Sequence, residues 1–116
     1  MRVISQDGTI DVPYDYFSLS MSGGKYKDVE VAYIYCQNSS SPIGTKLAEY
    51  STEAKAIKAM EMLREQYKAL EVLKVLANGT AEHMEKSFKL DEFAGYNRAY
   101  RDMNVFQFPQ DDEIEV

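Results

Sequence analysis

The chain has 116 residues, a formal net charge of −6, one cysteine and one histidine. At this length one domain is the default, and 45% hydrophobic with 28% charged residues is ordinary globular composition, too apolar for a wholly disordered chain. The negative charge argues against direct nucleic-acid binding, since duplex affinity comes mainly from Lys and Arg on phosphates, and no apolar run approaches the roughly 20 residues that span a bilayer.

The first residues, Met1-Arg2-Val3-Ile4-Ser5, enter a strand pattern without the apolar stretch of a signal peptide. A lone cysteine, Cys36, forms no intrachain disulfide and suits a reducing compartment. The expected location is therefore the cytoplasm, and the glycosylation sequon at Asn38-Ser39-Ser40 reads as chance.

In chain order, residues 2–5 and 9–12 flank Gln6-Asp7-Gly8, which predicts a tight β-hairpin ended by Pro13. Residues 17–21 alternate apolar and polar with period two, a half-buried strand, and Ser22-Gly23-Gly24 reads as the turn after it. In the segment 29–35, Val29, Val31, Tyr33 and Tyr35 share one face, with Ala32 and Ile34 on the other. Both faces are mostly apolar, which predicts a central strand packed on one side and covered or oligomerised on the other. Residues 37–42 read as an exposed polar loop and 45–50 as a further strand.

The period then changes. Ser51 is placed to cap a helix with Glu53 in its first turn, although Ala54 leaves the capping box incomplete. Ile57, Met60, Leu63, Tyr67 and Leu70 make one apolar stripe that continues through Leu73 and Leu76 to Asn78-Gly79. This predicts a helix over 52–77, roughly 39 Å long at 1.5 Å per residue. Such a helix overruns one small sheet, so its distal end is expected to lean on a partner subunit. With the two-faced strand and the nine Tyr and five Phe, it predicts self-association as a dimer.

Thr80 reads as the cap of a shorter helix carrying Met84 and Phe88 inward, and Asp91 as the cap of a third with Phe93, Tyr96, Tyr100 and Met103 on one face. Residues 105–108 read as a last strand stopped by Pro109, and the acidic tail as frayed. The fold expected is α+β in one domain over 1–116: an antiparallel sheet of four or five strands packed against one long helix, with further short helices towards the C-terminus. Residues 1–50 are mainly β, 51–104 mainly α, 105–109 a short strand and 110–116 the tail.

Three stretches are familiar together: the opening MRVISQDGTIDVPY, the central LAEYSTEAKAIKAMEMLREQYK and the closing VFQFPQDDEIEV. They resemble a group of small proteins encoded by phages and prophages of Gram-positive bacteria. The likeness covers roughly the first 21 residues, 47–68 and the last dozen, and carries no catalytic role. By analogy, the shared ends are scaffold and the middle is where function differs.

The residues themselves offer little chemistry. Cys36 and His83 would be the nucleophilic pair, but Cys36 ends an apolar strand and His83 lies on a polar helical face, so a buried thiol and a solvated imidazole are the better reading. One Cys and one His do not make a zinc shell, and Asp111-Asp112-Glu113 has no ligand-loop spacing, so neither metal nor cofactor is expected. Gly23-Gly24-Lys25 lacks the spacing of a phosphate loop. The expectation is a protein that is not an enzyme.

Two binding constellations stand out. Tyr96, Asn97, Tyr100 and Arg101, with Phe88 beyond them, set aromatic faces beside a guanidinium and suit a nucleotide. Glu49, Glu53, Glu61 and Glu65, with Asp111, Asp112 and Glu113, make an acidic surface suited to a basic channel on another protein. With the phage-like resemblance, the leading expectation is an anti-defence (anti-CRISPR-like) inhibitor that binds a host defence protein. A sponge for a nucleotide immune signal and a phage structural or assembly protein stay open.

Overall fold

The computed structural model describes residues 1–87 and 98–116. It is α+β, with two three-stranded sheets in place of one sheet of four or five strands. The first sheet has the order β2-β1-β6, with β1 (Arg2–Ile4) antiparallel to β2 (Asp11–Pro13) and parallel to β6 (Val105–Gln107). The second is an antiparallel meander of β3 (Ser18–Tyr26), β4 (Val29–Asn38) and β5 (Ser41–Tyr50). The helix α1 (Glu53–Ser87) packs on β4 and β5, and residues 98–103 are helical.

The first hairpin forms as its turn residues dictate. Asp7 Oδ1 accepts from the Ser5 hydroxyl at 2.6 Å, from the Thr9 amide at 3.0 Å and from the Thr9 hydroxyl at 2.7 Å, while Gly8 takes φ +78°. These donors hold the Asp7 carboxyl down to about 2, the Ser5 hydroxyl contributing most.

The second sheet departs from the sequence reading at both turns. Gly23 and Gly24 lie inside β3, and the chain reverses at Lys27 and Asp28, whose φ values are +51° and +65°. Two central residues with positive φ match the twist of a tight hairpin, so geometry rather than glycine content fixes the turn. The loop expected over 37–42 shrinks to Ser39-Ser40, because Asn38 already pairs with Ser41.

One core joins both sheets and the helix. Val3, Val12, Phe106 and Phe108 come from the first sheet and the residues after it; Ala32, Ile34, Cys36, Leu47, Ala48 and Tyr50 come from the second; Ala56, Ala59, Met60 and Leu63 come from α1. The expected helical stripe holds at Met60, Leu63 and Leu70, which are buried, and is extended by Ala56 and Ala59, while Ile57 is 43% exposed. Small residues let the helix lie close on the sheet.

The helix cap also shifts. Thr52 Oγ1, not Ser51, accepts from the Lys55 amide at 3.1 Å. Nor does α1 stop at Gly79; it runs through Thr80 to Ser87, so Thr80 caps no separate helix. One glycine costs a helix only about 1 kcal/mol relative to Ala, too little to end a long one. Phe88, Asp91, Phe93 and Tyr96 lie outside the described residues.

The acidic tail is folded rather than frayed. Asp111 accepts from the Ser51 amide at 2.7 Å and pairs with Lys55 at 3.2 Å, residues 111–113 form a 3-10 turn, and Ile114 is buried at 5% exposure.

Candidate functional site

The outer face of the β3-β4-β5 sheet carries a ridge of large side chains. On β4, Val31, Tyr33 and Tyr35 point away from α1, because Ala32, Ile34 and Cys36 take the inward positions. The Tyr33 and Tyr35 rings sit 5.9 Å apart, tilted by 45°, and all three ridge residues are half-buried. Val29, at the end of the row, is 66% exposed.

On the β3 side the neighbours of this ridge are small. Ser20 and Ser22 of β3 stand opposite Tyr35 and Tyr33, and Gly24 stands opposite Val31. On the β5 side, a Cβ at Gly44 would come within 3.1 Å of Tyr35 Cβ, so glycine leaves the ring room to lie over that strand. Lys46 Nζ lies 5.6 Å from the centre of the Tyr33 ring and 3.9 Å from Glu49. The aromatic ridge is thus flanked by Ser and Gly on its β3 side and by Gly44, Lys46 and Glu49 on its β5 side. The phenol and ammonium groups supply polar contacts at its rim.

Of the seven acidic residues singled out by sequence, five gather at one pole of the molecule. The segment Pro109–Glu113 packs over Gln6, Tyr50, Ser51 and Lys55 through hydrogen bonds from Gln6 Nε2 and the Tyr50 hydroxyl to the Pro109 carbonyl, at 3.1 and 2.8 Å, and through the Asp111 contacts. This brings Asp111, Asp112 and Glu113 beside Glu49, whose amide donates to Gln6 Oε1 at 3.0 Å. Glu53 joins them at the start of α1, and Glu30 adds a sixth carboxylate by accepting from the Glu53 amide at 2.9 Å. Glu61 and Glu65 are exposed further along the helix, roughly 12–18 Å from Glu53 along the axis.

Not all of these charges are free to meet a partner. Asp111 ties the tail to the start of α1, and the Ser51 amide is the main group lowering its carboxyl below the usual range. Glu113 Oε1 accepts from the Gln110 amide at 2.9 Å in a capping box. The outward charge of the pole therefore rests on Glu53 and Asp112, which are exposed, while Glu49 is exposed but paired with Lys46 at 3.9 Å.

The nucleotide constellation is only partly placed. Tyr100 is half-buried and Arg101 exposed on the 98–103 helical segment, while Phe88, Tyr96 and Asn97 lie outside the described residues. Cys36 is 2% exposed on the inner face of β4, and desolvation pushes its thiol up, away from the reactive thiolate. His83 lies in the distal part of α1. Among the described residues no group of three or more His, Cys, Asp or Glu is placed to hold a metal ion, and no helix is long and apolar enough to cross a membrane.

The Tyr33–Tyr35 ridge was not among the site residues chosen from sequence, yet its signal is there. Val29, Val31, Tyr33 and Tyr35 repeat with period two, and Ser18, Ser20, Ser22 and Gly24 repeat likewise on the strand before. Read together, the two rows describe large residues beside a row of small ones. Comparison with protein-family models, with curated proteins and with solved structures finds no match for the chain.

Proposed function

We propose that this chain is a non-enzymatic accessory protein of phage or prophage origin that blocks a host defence protein by binding it. The observation that carries the reading is the Tyr33–Tyr35 ridge on the central strand β4, with only Ser and Gly opposite it on β3 and Lys46 and Glu49 opposite it on β5. Tyrosine is enriched among the few residues that dominate protein interfaces, where it buries a large area at low entropic cost. The acidic pole adjoins this ridge at Glu49, the residue opposite Tyr33 on β5. A patch of that sign steers a basic surface towards the ridge and makes association salt-sensitive.

The test is phage plating on cells that carry defined defence systems, with and without this chain. The reading expects plating to recover by at least about tenfold in one system, and to be lost again in the Tyr33→Ser/Tyr35→Ser variant. Both rings are half-buried on the outer face of the sheet, so the variant should lower the unfolding midpoint somewhat yet stay folded at the assay temperature, which urea unfolding checks. A double substitution at two central aromatics should weaken binding by at least roughly 2 kcal/mol, about 30-fold. Recovery that survives the double variant but fails in Arg101→Ala would point to the nucleotide sponge instead. No recovery in any system would leave the phage structural role as the better account.

A further inference from the structure

Each free sheet edge is a row of unpaired amides and carbonyls that natural proteins shield. Here β2 and β6 are three residues each, and β2 ends on Pro13. The edge strand β5 contains Pro42, has irregular register against β4, and is covered by Gln6, whose amide donates to the Leu47 carbonyl at 2.8 Å and whose Oε1 accepts from the Glu49 amide. Among the described residues β3 has none of these guards. It runs nine residues in unbroken register with β4, contains no proline, and carries one charge, Lys25, near its end.

We propose that β3 pairs antiparallel with β3 of a second copy of this chain, joining two meanders into one six-stranded sheet. Directly opposed residues in an antiparallel pair share a face, and along β3 the even positions face outward with Tyr33 and Tyr35. The register numbers must therefore sum to an even value, and a sum of 44 pairs all nine residues. In that register Ser22 faces itself on the two-fold axis, Ser20 faces Gly24, and Met21 faces Gly23.

The inward positions complement one another. Leu19 and Met21 are only half-buried at the edge of the core in a single copy. Beside Gly23 lies a cavity of about 90 Å³ lined by Met21, Ser22, Gly23, Ala32 and Glu53. The second copy's Met21, opposite Gly23, is placed to fill it. Lys25 faces Leu19 rather than another Lys25, so no like charges oppose. Along the paired strands themselves no like charges meet, since Ser18–Tyr26 contains no acidic residue; Glu53 is the one carboxylate at the cavity.

The pairing is about 30 Å long and buries several hundred Å² on each copy, below the roughly 800 Å² per partner of a standard interface. A concentration-dependent dimer dissociating on the order of micromolar is therefore expected. It would set two Tyr33–Tyr35 ridges on one continuous face, about 14 Å apart across three strand spacings.

Sedimentation of the intact chain should show the mass rise from 13.3 kDa towards twice that value as concentration increases. Ser22→Lys, which sets two ammonium groups face to face at a solvent-exposed position, should raise the dissociation constant at least about fivefold. Register is tested by cross-linking, with oxidised glutathione accepting the two electrons and two protons released when two thiols join. Ser22→Cys should cross-link quickly, while Ser18→Cys, whose copies lie roughly 27 Å apart in this register, should not. Cys36 is buried and does not compete. A chain that stays at 13.3 kDa at near-millimolar concentration, a dimer indifferent to Ser22→Lys, or equal cross-linking at positions 18 and 22 would each overturn the proposal.

Discussion

Leu63→Ala and Ile57→Ala separate two descriptions of how α1 meets the sheets. Periodicity alone puts both residues on one apolar stripe, whereas the structure buries Leu63 completely and leaves Ile57 43% exposed. Removing a fully buried leucine side chain loses its transfer free energy and leaves a cavity, about 2–5 kcal/mol in total. Leu63 is fully buried in the core that joins both sheets and the helix, so about 3 kcal/mol is expected. At Ile57 the transfer loss is roughly halved by exposure, and Ala is the better helix former by several tenths of a kcal/mol. The net change there should stay under about 1 kcal/mol.

Urea unfolding followed by circular dichroism resolves this contrast. With a slope of about 1.5 kcal/mol/M, Leu63→Ala should lower the midpoint by roughly 2 M and Ile57→Ala by less than about 0.7 M. The loss at Leu63 is a large part of the roughly 5–15 kcal/mol that holds an ordinary domain together. Equal shifts for the two variants, or a loss under about 0.5 kcal/mol at Leu63, would refute the helix orientation described above.

Three further outcomes follow from named contacts. Ile114→Ala should cost about 2–4 kcal/mol in the same urea assay, since the residue is buried in the core, whereas a frayed tail would make it silent. Asp28→Gly should raise the unfolding free energy by about 1 kcal/mol, because Asp28 holds φ +65° and glycine adopts that region freely; a loss of stability would show that the side chain matters more than the backbone. The carboxyls of Asp7 and Asp111 sit below their ordinary values in the folded chain, so the unfolded chain binds more protons at low pH. The contribution of Asp7 is present above about pH 4 and should be lost as pH falls towards about 2, and that of Asp111 should likewise fade on the acid side of its ordinary range. The urea midpoint should decline across that window, and the decline should flatten in Asp7→Asn/Asp111→Asn.

The elements that local chemistry specifies were legible in the sequence. The Asp7-Gly8 hairpin, the alternation of 29–35 and the switch to helical period after Tyr50 all appear in the structure where residue type and spacing put them. What was not legible depends on partners far along the chain. Asp111 looks like part of a solvated acidic tail until it is seen bound to Ser51 and Lys55, 60 and 56 residues away. The parallel pairing of β1 with β6 joins the two ends of the chain, and nothing local to either strand announces it. Gly23 and Gly24 suggested a turn because glycine permits one, but permission is not requirement, and the tight turn formed at Lys27-Asp28 instead.

The candidate surface shows the same division. Glu49, Glu53, Asp111, Asp112 and Glu113 were chosen by charge, and the folded tail brings them to one pole while spending Asp111 and Glu113 on internal hydrogen bonds. The tyrosine ridge needed strand register as well as pattern, since only pairing shows that its β3 neighbours are small and its β5 neighbours are Lys46 and Glu49.

Binding of a host protein through the tyrosine ridge is tested most directly by native mass spectrometry of the chain purified from infected cells, beside its Tyr33→Ser/Tyr35→Ser variant. The expected result is one host protein retained by the native chain and absent from the variant. A retained nucleotide, a retained phage structural protein, or a host protein held equally by both chains would contradict the account.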